Sequence, residues 1–127
     1  MRILVVDDDE SVRGLVRDVL EVEGHEVELA ADGFAALRRL AARRPDAVVL
    51  DVMMPGMDGY AVLARIRSSE ADGDLPVIML TAAADDDHAW QAWSGGVDYF
   101  LAKPFEPTEL LHFLDGLSAD VDSTVVG

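Results

Sequence analysis

The chain has 127 residues, half of them hydrophobic, with a formal net charge of −15 and no cysteine. That length suits one domain with a real core and leaves no room for a second catalytic one, while the lack of cysteine excludes disulfides and thiolate chemistry. So acidic a surface repels phosphate backbones and anionic membranes, no apolar run approaches the roughly 20 residues of a membrane span, and Met1–Val6 is too short for a signal peptide, so a cytoplasmic location without direct nucleic-acid or membrane contact is expected.

In chain order, apolar runs of strand length appear at Ile3–Val6, Val27–Ala30, Ala47–Leu50, Val77–Leu80 and Tyr99–Leu101. Most are continuous rather than alternating, which indicates strands covered on both faces, as in a parallel sheet between helices. The intervening segments carry helical periodicity. Val12, Leu15, Val16, Val19 and Leu20 define a first helix with Gly24 at its C-terminal cap, and Phe34, Leu37, Leu40 and Ala41 a second that ends before Pro45. Tyr60, Leu63, Ile66 and Arg67 fit a third. Asp85-Asp86-Asp87 would open a fourth that carries Ala89, Trp90, Ala92 and Trp93, with Trp93 directed to the core, and a fifth would start near Pro107 and use Leu110, Leu111, Phe113, Leu114 and Leu117. Residues 118–127 lack a sustained pattern and are expected to fray, as a tail or the start of a linker after a domain spanning 1–117. His25, His88 and His112 are scattered and expected on the surface, and Arg38, Arg39, Arg43 and Arg44 form a solvated basic face.

Ligands of open parallel α/β sheets bind beyond the carboxyl ends of the strands. The residues collected there are Asp7 and Asp8 after the first strand, Asp51 at the third, Thr81 at the fourth and Lys103 after the fifth. Carboxylates crowded into one crevice raise one another's pKa unless a cation neutralises them. An oxygen-only donor set favours Mg²⁺, or Mn²⁺, over zinc. Such a cation and Lys103 would attract a phosphoryl group, leaving one carboxylate as a nucleophile able to form an acyl phosphate. The first strand also reads Asp7-x-Asp9, the spacing of haloacid-dehalogenase-like phosphatases, in which Asp7 would be phosphorylated and Asp9 would act as acid and base. That reading needs another acidic pair after the lysine and leaves Asp51 unexplained.

The segments Ile3-Leu4-Val5-Val6-Asp7-Asp8-Asp9, Asp51-Val52-Met53-Met54-Pro55-Gly56-Met57-Asp58-Gly59, Leu80-Thr81-Ala82 and Lys103-Pro104-Phe105 resemble the signature segments of response-regulator receiver domains, in order and spacing, over about residues 2 to 117. The resemblance implies a doubly wound, flavodoxin-like five-stranded sheet in the order 2-1-3-4-5. It implies that Asp51 takes a phosphoryl group from a histidine kinase or histidine phosphotransfer protein, making the domain a signalling phosphoacceptor rather than an enzyme in its own right. Asp8, Asp51 and the backbone carbonyl of Met53 would bind the metal, with Asp7 acting through water, while Thr81 and Lys103 would each meet a phosphoryl oxygen across from a cis Lys103–Pro104 bond. Phe100 falls at the family's aromatic switch position, where Tyr is common, and Tyr99 stands where an acidic residue is common, either covering the sheet edge or joining a partner contact. Met53 and Ala83 would be apolar neighbours of the site. The output would be a changed surface of the fourth helix, fifth strand and fifth helix that acts on an effector or forms a homodimer.

Overall fold

The computed structural model describes residues 1–81 and 96–126. The anticipated fourth helix, with Asp85–Asp87, His88, Trp90 and Trp93, lies outside the described residues, as does Ala83. Among the described residues, strands β1 (Arg2–Val6), β2 (Glu26–Ala30), β3 (Ala47–Asp51), β4 (Val77–Thr81) and β5 (Tyr99–Ala102) alternate with helices α1 (Glu10–Val22), α2 (Gly33–Ala42) and α3 (Gly59–Ser68), followed by a C-terminal helix α4 (Pro107–Val126). The strands form one parallel sheet ordered β2-β1-β3-β4-β5, as anticipated.

Side chains leave a strand on alternate faces, so each strand feeds two cores. Leu4, Val6, Val48, Leu50 and Met79 pack with Ala36 and Leu40 of α2 and with Val62, Leu63 and Ile66 of α3. Ile3, Val5, Val49, Ile78 and Leu80 pack on the other face with Val16 and Leu20 of α1 and Leu110 and Leu114 of α4. Full burial of one such Leu or Ile is worth about 1.5–3 kcal/mol. This two-sided covering is why β3 and β4 are buried at every position and read as unbroken apolar runs.

Carboxylates set the helix starts. Asp9, Asp32 and Asp58 accept hydrogen bonds from backbone N–H groups in the first turns of α1, α2 and α3, groups that otherwise lack a partner. Gly24, with φ of +88°, turns the chain out of α1 in a conformation that side chains disfavour.

Three expectations need correction. Leu15 and Phe34 are 57% and 53% exposed, because α1 and α2 bury narrower stripes than the apolar periodicity allows, and on α2 the small Ala36 takes the core position. His25 is half-buried rather than exposed, with Nδ1 3.3 Å from the Met1 nitrogen, and burial first, then that ammonium, lower its pKa. The C-terminal helix runs on to Val126 instead of fraying after Leu117, since adding a residue to an established helix needs no further nucleation.

Candidate functional site

Parallel register brings the strand ends together. Val6 pairs with Leu50, Asp51 with Leu80 and Thr81 with Ala102, so Asp7, Asp51, Thr81 and Lys103 emerge side by side at one edge of the sheet. Asp7, Asp51 and Thr81 are the buried polar residues among those described, at 0%, 3% and 2% exposure. Burial of such groups is costly unless they are paired, which marks this edge as the place where stability gives way to chemistry.

The three consecutive aspartates after β1 have separate fates. Asp7 turns inward, its Oδ1 accepting from the Asp9 backbone N–H at 2.9 Å and its Oδ2 from Lys103 Nζ at 2.9 Å. Asp8 is exposed and can offer an oxygen within 4.8 Å of oxygens from Asp7 and Asp51. Asp9 caps α1. Arg13, one turn into α1, donates from Nη1 to the Asp7 backbone carbonyl at 2.8 Å and so fixes the peptide that carries Asp8. Neither the capping role of Asp9 nor that of Arg13 is in the sequence reading, although an Asp directly before an apolar helical repeat is a recognisable cap signal.

Asp51 reaches Lys103 Nζ with Oδ1 at the longer distance of 3.4 Å. Burial, followed by the charge of Asp7, pushes the Asp51 carboxyl up to about 7, while Lys103 pulls it down without prevailing. For Lys103 burial acts to lower the pKa, but the hydrogen bond and charge of Asp7 and the charge of Asp51 together raise it, so the ammonium stays protonated. The cluster is thus short of positive charge, and its all-oxygen donor set, with Asp8 open to solvent, suits a hard divalent cation.

After β3 the chain is held in place by backbone contacts. Val52 N–H donates to the Leu80 carbonyl and Gly59 N–H to the Val52 carbonyl, both at 2.9 Å. A Cβ at Gly59 would lie 2.2 Å from the Asp51 carbonyl oxygen, so only glycine lets α3 start this close to the end of β3. Met53 projects into solvent at 64% exposure. The Lys103–Pro104 bond is cis. Lys103 N–H donates to the Thr81 carbonyl at 2.6 Å, tying the ends of β4 and β5.

Phe100 is half-buried against the core on the α2–α3 side, opposite Met79 in register. Tyr99 faces the other way and stacks on Phe113 with ring centroids 4.5 Å apart. Arg38, Arg39, Arg43 and Arg44 are all exposed, as anticipated, and Arg44 pairs with Asp72 at 3.3 Å and Asp74 at 3.1 Å.

Comparison with known proteins agrees with this geometry. Residues 3–115 match the family model described as the response regulator receiver domain. The response regulator MprA of Mycobacterium avium (strain 104) is 49% identical over 111 residues, which cover 87% of this chain and 48% of that protein. Its namesake from Mycobacterium bovis (strain BCG / Pasteur 1173P2) is 48% identical over 111 residues, 87% of this chain and 47% of its own length. The chain therefore spans about half the length of the curated relatives it matches. Among solved structures, the Vibrio cholerae chemotaxis protein CheY4 superposes with a TM-score of 0.87 at 34% identity, covering 91% of this chain and 97% of that one. The receiver domain of the Francisella response regulator 1452 gives 0.86 at 30% identity, with coverage of 94% and 98%. With its strand order, its strand-end aspartates and its lysine in the places described, the chain belongs to the response regulator receiver domain family.

Proposed function

We propose that this domain accepts a phosphoryl group on Asp51 in a reaction that depends on Mg²⁺, or Mn²⁺, and that the donor is the phosphohistidine of a histidine kinase or histidine phosphotransfer protein. The observation that carries the reading is the convergence of Asp7, Asp8 and Asp51 oxygens within 4.8 Å beside the Lys103 ammonium. Asp8, Asp51 and the Met53 backbone carbonyl would hold the cation, with Asp7 acting through water. When bound, the cation supplies charge neutralisation at the carboxylates and the phosphoryl oxygens. In the transfer a carboxylate oxygen of Asp51 bonds to phosphorus as the phosphorus–nitrogen bond of the donor breaks. The electron pair stays on the imidazole nitrogen, which is reprotonated from solvent. The domain is then a phosphoacceptor rather than an enzyme acting on a separate substrate.

Asp51 is the better nucleophile of the two buried carboxylates. Both oxygens of Asp7 are engaged at 2.9 Å, and Asp9, which the phosphatase reading needs as acid and base, is occupied as a helix cap. Thr81, buried at the end of β4, takes one phosphoryl oxygen and Lys103 another. Phe100 responds to Thr81 by moving further into its core, held there by packing because it has no hydroxyl. The changed surface around β5 and α4 acts on an effector or forms a homodimer, in the cytoplasm.

The test is incubation with Mg²⁺ and acetyl phosphate, followed by mass-spectrometric mapping. One phosphoryl group on Asp51, absent in Asp51→Asn, is expected. Phosphate on Asp7 would favour the phosphatase reading, and no uptake would make the domain an interaction module only.

A further inference from the structure

The groove between α2 and the sheet edge shares no lining residue with the cluster of Asp7, Asp8, Asp51, Thr81 and Lys103, although Ala30 in its wall accepts a hydrogen bond from the Asp7 N–H at 3.2 Å. It measures about 460 Å³ and has an apolar floor of Leu29, Ala31, Ala35 and Ala42, with Arg38 and Arg39 on its rim. The segment from Gly33 to Pro45 holds four of the chain's ten basic residues and no acidic one, in a molecule of net charge −15. Two of the four are already engaged: Arg44 with Asp72 and Asp74, and Arg43 more loosely with Glu26 at 3.9 Å. Arg38 and Arg39 are exposed and, among the described residues, their guanidinium groups make no ion pair or hydrogen bond. β2 is the last strand of the sheet on this side, so the groove is not closed by a further strand.

From this geometry we infer that the α2–β2 groove is a docking site for an acidic, amphipathic segment of a partner protein, whose carboxylates meet Arg38 and Arg39 and whose apolar side chains lie on the alanine-lined floor. Guanidinium groups that are not paired within the molecule can offer planar, two-pronged bonds to carboxylates without first breaking an internal pair. The apolar floor distinguishes this occupant from a polyphosphate backbone, which would leave Leu29, Ala31 and Ala35 uncovered. The net charge of −15 disfavours an acidic segment over most of the surface, so the basic rim of this groove supplies specificity as well as attraction.

The experiment uses the full chain labelled with ¹⁵N and a fluorescein-tagged helical peptide with Leu on one face and Glu on the other. Amide shifts confined to the residues between Leu29 and Ala42 are expected, with binding that weakens as salt rises. The double variant Arg38→Ser, Arg39→Ser should weaken peptide binding roughly tenfold by fluorescence anisotropy. Because both arginines are exposed, its circular dichroism and thermal midpoint should match the wild type. Equal affinity in the double variant, shifts located at the phosphoacceptor mouth, or no shifts at all would overturn the inference. Duplex DNA giving the same shifts and displacing the peptide would overturn it too, by making the groove a general polyanion site.

Discussion

Lys103 Nζ stands 2.9 Å from Asp7 Oδ2 but 3.4 Å from Asp51 Oδ1, so the ammonium is committed to the carboxylate that is not the proposed acceptor. Its removal and the removal of Asp8 should therefore have different effects. Asp8→Ala takes away the exposed carboxylate and should weaken Mg²⁺ binding sharply. Lys103→Ala should leave Mg²⁺ binding in place, since a protonated lysine offers no ligand atom, and should abolish the response to beryllofluoride. Mg²⁺ titrations followed by tryptophan fluorescence, repeated with beryllofluoride, separate the two. Equal loss of metal affinity in both variants would contradict these roles.

The metal-free domain should lose stability as pH rises. A carboxyl whose pKa climbs from 3.8 to about 7 on folding keeps a proton that the unfolded chain releases. The penalty is absent below the unfolded value, grows between the two and is complete above about pH 7. Asp51→Asn should therefore stabilise the metal-free protein by about 2 kcal/mol near pH 8 and by much less near pH 5. Urea denaturation in a chelator at the two pH values measures this, and saturating Mg²⁺ should erase most of the variant's advantage.

Gly59→Ala should destabilise the domain by about 3 kcal/mol, because the new methyl group meets backbone on a buried strand end and cannot be relieved by a side-chain rotation. The carbonyl it displaces belongs to Asp51, so Mg²⁺ affinity should fall with stability. The same exchange at Gly14, whose nearest neighbour would be 3.9 Å away, should be neutral or slightly stabilising. Urea unfolding of both variants provides the comparison.

Arg67 offers the opposite control. Its guanidinium donates to the carbonyls of Leu75 at 2.6 Å, Gly96 at 2.8 Å and Gly73 at 3.3 Å, and to Asp98 Oδ2 at 3.1 Å. Arg67→Met should cost about 2–3 kcal/mol through the acceptors it leaves unpaired. Mg²⁺ affinity should be unchanged, because these bonds lie at the amino ends of β4 and β5. Paired denaturation and metal titration check both halves.

The strands and the site cluster were legible because they depend on local signals that tertiary structure did not override. Ile3–Val6 of β1, Ala47–Leu50 of β3 and Val77–Leu80 of β4 are buried on both faces and so are apolar, and the groups that follow these runs converge as a geometric result of parallel register. What escaped the sequence depends on long-range contact. Arg67 reads as one more member of a helical repeat, yet it bonds residues 6 to 31 positions away. Leu15 and Phe34 satisfy the helical period but lie at the margins of their buried stripes, and periodicity does not tell how wide a stripe the neighbouring sheet will cover. Asp9 was legible in principle, but with three aspartates in a row the chemical reading of the run obscured its capping role.

The Arg67–Asp98 clasp has a mechanical side. Asp98 Oδ2 also accepts from the Val77 N–H at 2.8 Å, so one carboxylate oxygen joins α3, the first residue of β4 and the residue before β5. Both strands are anchored at their starts, while their far ends carry Thr81 and Lys103. The far ends are joined as well, by the Lys103 N–H on the Thr81 carbonyl, so β4 and β5 are laced at both ends and a displacement of Thr81 would carry β5 along with it.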